Sequence, residues 1–137
     1  MEITLPKLLR RVAAEHPAIA AQYTRNAQGE FDEVSFADFY RIVLDYAAGL
    51  KVLGTSRGDH VGLIADNRKE WFHTSMAIMA LGAADVPRGC DATVREISYI
   101  LSFSECRTVV LENGAQVQKI LETRAEMPLL KSIIMID

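Results

Sequence analysis

Asp59–Pro87 reads DHVGLIADNRKEWFHTSMAIMALGAADVP, and this stretch decides the fold. His60–Ala65 is a short, mostly apolar run of the kind that makes a buried strand. A helical pattern follows over Arg68–Leu81, with Asn67 as the expected N-cap and Glu70 at the capping-box position. Gly82 stands where a helix stops, and Ala84–Pro87 reads as the next strand. Strand, helix and strand at this length form a βαβ crossover, which is right-handed in nearly all proteins. Trp71, Phe72, Met76, Ile78, Met79 and Leu81 are apolar on more than one side of the helix, so it is expected to pack between neighbours.

The same alternation continues downstream. Arg88–Ala92 is a loop, and Thr93 with Glu96 is a capping box. Val94, Ile97, Ile100 and Leu101 then give the next helix its inward face. Arg107–Leu111 reads as a strand turned by Asn113-Gly114, and Gln116–Arg124 as a helix with Val117, Ile120 and Leu121 inward. Met127-Pro128 ends that helix, and Ser132–Ile136 is a last strand. Strand starts near 60, 84, 108 and 132 indicate βα units of similar size. Strands that are apolar throughout are covered on both faces. The fold class is therefore α/β, a parallel sheet flanked by helices, with residues 1–137 forming a single segment.

Upstream, Thr4 caps a first helix that carries Pro6 in its first turn and Leu5, Leu8, Leu9 and Val12 on its apolar side. The region from about 18 to 34 is hairpin-like: Ala18–Tyr23 and Glu30–Val34 flank the turn Asn26-Ala27-Gln28-Gly29. Ser35, with Asp38 three residues on, opens a helix whose face is Phe36, Phe39, Tyr40, Val43, Ala47 and Leu50, and Gly54 follows its end.

Composition bounds the function. At 137 residues, half of them hydrophobic, the chain is one domain able to bury a core. A net charge of −3 argues against nucleic acid as a partner, which needs a dense Lys/Arg footprint. Cys90 and Cys106 are not spaced as a metal or redox motif and read as reduced thiols of a cytoplasmic protein. No apolar run approaches the roughly 20 residues that span a bilayer.

Ligands of such sheets bind at the carboxyl ends of the strands. Here those ends are Asp66-Asn67, Arg88-Gly89-Cys90-Asp91, Glu112-Asn113-Gly114 and Asp137. There is no GxGxxG, no GxxxxGK[ST], no GxSxG and no HExxH. Gly54–Gly58 is glycine-flanked but leads into a strand, so it lacks the helix N-terminus that would hold an anion. His16, His60 and His73 are scattered, and His73 reads as a partly exposed helix residue. A receiver-type phosphoacceptor domain would need doubled acidic residues after its first strand and a Lys after a late one, and the chain has neither. The loop Pro87–Asp91 is the best local candidate for a contact, because Gly89 admits a ligand to the backbone and Arg88 can meet a phosphate. Taken alone, those residues fit an ordinary turn with a solvated Arg better.

The ordered set Val34–Phe39, Ala47-Ala48-Gly49-Leu50, Leu53-Gly54, Arg57–Leu63, Asn67 with Glu70-Trp71, Met79–Ala83, Val86-Pro87, Glu96–Leu101 and Cys106–Val110 resembles the start of the adenylate-forming (AMP-binding) superfamily. The resemblance covers roughly residues 17–137, and Asp85–Gly89 with Asp91, Thr93, Glu96 and Tyr99-Ile100-Leu101 is most similar to bacterial long-chain fatty acid–CoA ligases. It implies the N-terminal subdomain of that enzyme fold, in a parent that uses ATP, Mg2+ and CoA to activate a fatty acid and form its CoA thioester. It also implies that Arg88, Gly89 and Lys119 lie near the CoA nucleotide, although Lys119 taken alone is a solvated helix charge. The family's phosphate loop and catalytic Lys would lie beyond Asp137, so the resemblance implies a fragment that has no catalytic residues of its own and is inactive alone. Such a piece is expected to self-associate through exposed apolar surface, and peripheral membrane contact by the parent stays open. The alternative is a standalone flavodoxin-like binding or interaction domain without catalysis.

Overall fold

The structure is a computed structural model that describes residues 3–137. Helix α1 (Leu5–Glu15) leads into the antiparallel hairpin β1 (Ala20–Arg25) and β2 (Phe31–Ser35), then α2 (Phe36–Val52). After it come β3 (His60–Ile64), α3 (Lys69–Ala80), β4 (Ala84–Arg88), α4 (Val94–Phe103), β5 (Thr108–Leu111), α5 (Gly114–Glu122), a 3-10 turn at Arg124–Glu126, and β6 (Ser132–Met135). The four later strands form one parallel sheet in the order β4-β3-β5-β6.

The local signals explain most element boundaries. The Thr4 hydroxyl accepts from the Lys7 N–H, and the Ser35 hydroxyl accepts from the Asp38 N–H at 3.1 Å. Thr93 and Glu96 form a complete capping box. The hairpin turn is closed by the Asn26 side chain, which accepts from the N–H groups of Gln28 and Glu30. Gly54 and Gly82 both take positive φ after a helix, as a C′ glycine does.

Side chains of the central strands alternate between two cores. Val61, Leu63 and Val110 face α1, α2 and α3. Ile64, Val109 and Leu111 face α4 and α5, where Ile97, Leu101 and Ile120 are completely buried. Each such side chain contributes roughly 1.5–3 kcal/mol by leaving water. The chain runs one way along the sheet through α3 and back through α4 and α5. Right-handed crossovers then require the helices to lie on opposite faces.

Four sequence expectations are corrected. Asn67 does not cap α3: Arg68 occupies the N-cap position with no side-chain hydrogen bond, and Glu70 accepts from the Arg68 guanidinium at 2.7 Å. Asn113 is more than a turn residue, since its side chain caps α5, which starts at Gly114 and ends at Glu122. Leu121 points outward, half exposed, while Ile120 and Gln116 fill the inner face. His73 is buried, because the hairpin folds over α3.

His73 carries a pH dependence. Its Nε2–H donates to Gln22 Oε1 at 2.7 Å, and the rings of Phe39 and Tyr46 pack against it. Burial lowers its pKa, with the Glu70 carboxylate opposing and Lys69 assisting. The unfolded chain therefore takes up a proton before the folded one does. Stability is expected to be fully present above the unfolded value near 6.5 and to decline as pH falls through the lower folded value. Urea unfolding at pH 7.5 and 5.5 measures this, and His73→Gln, which cannot titrate, should flatten the difference. An equal slope in the variant would remove His73 as its source.

Candidate functional site at the carboxyl ends of the strands

The order in which strands are added reverses between β3 and β5, since α3 leaves one toward one face and α5 leaves the other toward the opposite face. Ligands of open α/β sheets bind at such a switch point. In this chain it is crossed by hydrogen bonds. The Asp66 N–H donates to Glu112 Oε2 at 2.8 Å, and the Cys90 N–H donates to Asp66 Oδ1 at 2.8 Å. The Cys90 thiol also meets the Glu112 carboxylate. Burial, then Glu112 and Asp66, push that thiol up to about 11, so it is protonated at neutral pH. Carboxylate oxygens of Asp66 and Glu112 and the Cys90 sulfur lie within 4.8 Å of one another. Two carboxylates already accepting hydrogen bonds and one thiol do not suit Mg2+, which demands near-octahedral oxygen ligands. The cluster instead fastens the loop after β4 to the ends of β3 and β5.

The same loop is held from below. Lys119, from α5, donates to the carbonyl oxygens of Cys90 at 2.7 Å and Ala92 at 2.9 Å. Lys119 is thus half-buried and engaged, not the solvated charge its position in the sequence suggests. Gly89 sits between two carboxylates: a Cβ there would stand 2.7 Å from Asp91 Oδ1 and 3.4 Å from Asp66 Oδ1. Arg88 ends β4 with its side chain exposed, while its carbonyl accepts from the Ala65 N–H at 3.1 Å. Lys119, remote in sequence, is therefore brought to the loop that carries Arg88 and Gly89. An open cleft of about 770 Å3 adjoins it, lined by Asn67, Trp71, Pro87, Arg88, Gly89 and Asp91.

Asp137 belongs to a different arrangement. Arg68 donates through both terminal nitrogens to the Asp137 carboxylate, each at 2.7 Å, and through Nε to Glu70. The guanidinium holds both carboxyls below their usual range, against the opposing effect of desolvation, which is the largest single influence on Glu70. The group edges a second cleft, of about 530 Å3, walled by Leu50, Val110, Ile134 and Ile136 between α2 and β6. Nothing in the sequence marks Arg68 as the partner of a residue so distant, and Trp71 gave no sign beyond its apolar character.

Residues 9–137 match the family model described as AMP-binding enzyme. The chain belongs to the AMP-binding enzyme family. Curated relatives of this AMP-binding family member include the long-chain-fatty-acid–[acyl-carrier-protein] ligase AEE15, chloroplastic, of Arabidopsis thaliana. That protein is 31% identical over 104 residues, covering 76% of this chain and 14% of its own length. The long-chain-fatty-acid–CoA ligase FadD15 of Mycobacterium tuberculosis is 27% identical over 114 residues, covering 83% of this chain and 19% of its own. Among solved structures, the inhibitor-bound N-terminal domain of FACL13 from Mycobacterium tuberculosis superposes with a TM-score of 0.84 at 25% identity. The match covers 95% of this chain and 32% of that one. The chain thus spans less than a fifth of each of these curated relatives. The parallel α/β architecture is that of the N-terminal domains of adenylate-forming enzymes.

Proposed function

We propose that this chain is the opening segment of a cytoplasmic, ATP-dependent long-chain fatty acid–CoA ligase and is inactive by itself. The observation that carries the reading is the family match over residues 9–137, joined by relatives named as long-chain fatty acid ligases. Bound ATP with Mg2+ would activate the fatty acid carboxylate, and CoA would then accept the acyl group as a thioester. The described residues offer no oxygen cage suited to the metal, so that chemistry belongs to the rest of the parent.

The contribution assigned to this chain is to hold CoA's nucleotide. Arg88 presents a free guanidinium, which suits phosphate oxygens in bidentate geometry. Gly89 keeps the backbone approachable. Lys119 uses two of its three N–H donors on the loop and keeps one for an anion. Self-association of the isolated chain belongs to the same reading, because β6 is an unpaired edge with Ile133 and Met135 exposed.

The test compares the 137-residue chain with the full-length parent carrying the same segment. Fatty acid-dependent pyrophosphate release, followed by CoA thioester formation, is expected from the parent alone. Sedimentation of the short chain should show dimers or larger species. Pyrophosphate release by the short chain, or none by the parent, would overturn the reading.

A further inference from the structure

A cavity of about 220 Å3 lies at the amino ends of β3, β5 and β6, the opposite end of the sheet from the loop that carries Arg88. It is more enclosed than either cleft described above. Val61, Thr108 and Ser132 stand side by side in register across the three strands, so their side chains share one face of the sheet. That is the face covered by α2, and the turn that ends α2 contributes Leu53, Gly54 and Thr55 to the lining. Thr55 is only 4% exposed. Its Oγ1 is one of two buried side-chain oxygens among the described residues that lack a hydrogen-bond partner. A buried hydroxyl is costly to leave unpaired, which points to a partner that arrives from outside the chain.

Two cations belong to the same lining. Arg107 and Lys131 are exposed where β5 and β6 begin, and neither takes part in an ion pair among the described residues. Asp59 is the one acidic residue of the lining, and its Oδ2 accepts from the Ser56 N–H at 2.8 Å. The negative end of α2 is lessened too, because the N–H groups of Gly54 and Thr55 donate back to the carbonyls of Lys51 and Leu50.

We propose that this cavity binds a phosphate-type oxyanion, free or as the monoester of a small molecule, held by Arg107 and Lys131 with the Thr55 hydroxyl as the inner donor. Two cations against one engaged carboxylate select an anion, and the planar fork of Arg matches phosphate oxygens. The volume falls below the roughly 300 Å3 at which pockets for drug-sized ligands begin, so the occupant is small. The inference concerns the amino ends of the strands and does not depend on the ligase reading.

The experiment is isothermal titration calorimetry of the 137-residue chain with inorganic phosphate, and separately with glycerol phosphate, at constant ionic strength. Calorimetry is needed because phosphate stabilises proteins in general through exclusion from their surface, without any site. Saturable binding is expected with at least one probe, and it should weaken several-fold between low and physiological salt. Arg107→Gln/Lys131→Gln should weaken it at least tenfold, and both positions are exposed, so the variant should melt as the unsubstituted chain does. Thr55→Val keeps the shape of the side chain and removes the hydroxyl. It should weaken binding several-fold while leaving the melting temperature of the free chain equal or higher, since an unpaired hydroxyl is gone. A merely structural Thr55 would give the reverse, a lower melting temperature and unchanged affinity. No saturable heat with either probe, indifference to the double substitution, or loss of binding through Arg88→Ala instead would each overturn the proposal.

Discussion

Gly62→Ala is expected to destabilise the domain by about 1–3 kcal/mol, lowering the melting temperature by roughly 4–12 °C. Gly62 lies mid-strand in β3, at the centre of the sheet. A Cβ there would run into Leu101 Cδ2 and stand 2.8 Å from Val109 Cγ2. Neither neighbour can yield easily, because both are completely buried between the sheet and α4. The glycine thus lets α4 approach the sheet, a packing role and not one of backbone freedom. Gly49→Ala supplies the contrast. Gly49 is in the last turn of α2 with nothing within 4 Å of its would-be Cβ, so alanine there should stabilise by up to about 1 kcal/mol. Denaturant unfolding of both variants decides the matter. An unaffected Gly62→Ala would mean that α4 sits farther from β3 than described.

Lys119→Met is expected to loosen the loop after β4 and to cost about 1–3 kcal/mol. The substitution keeps the aliphatic stem but leaves the carbonyls of Cys90 and Ala92 without their charge-assisted donor. Water can reach this half-buried position and replace part of the loss, which sets the lower bound. The local readout is Cys90. Its thiol is held protonated by burial and by Glu112 and Asp66, so alkylation is slow while the loop stays closed. In the variant, Cys90 alkylation should accelerate several-fold at pH 8. Cys106, buried and likewise raised to about 11, should keep its rate. Identical Cys90 kinetics in the two proteins would mean that Lys119 does not restrain the loop.

The fold was legible wherever the signal was local. Caps at Thr4, Ser35 and Thr93, glycines after α2 and α3, and apolar runs near 60 and 108 each act within a few residues, and the structure keeps them. The misreadings involve partners from elsewhere in the chain. His73 looked exposed because its cover, Gln22 on β1, is remote in sequence. Glu70 looked like a cap partner because Arg68, which takes it instead, also reaches Asp137. The candidate site divides the same way. Arg88 and Gly89 were visible as a loop at a strand end, although their residues alone fit a plain turn. Lys119 entered only through family resemblance, because its engagement with that loop is a tertiary fact.

The strand order has a consequence for synthesis on the ribosome. β3 needs two neighbours, β4 on one side and β5 on the other, and it pairs Val61 with Asp85 early but with Thr108 only much later. Between those events the nascent chain carries a half-built sheet whose most apolar strand has one bare flank. Closing it is a non-local step, slower than forming the β3–α3–β4 unit. The interval is the chain's period of greatest vulnerability to aggregation and to proteolysis, and it ends when Val109 and Leu111 dock beside β3.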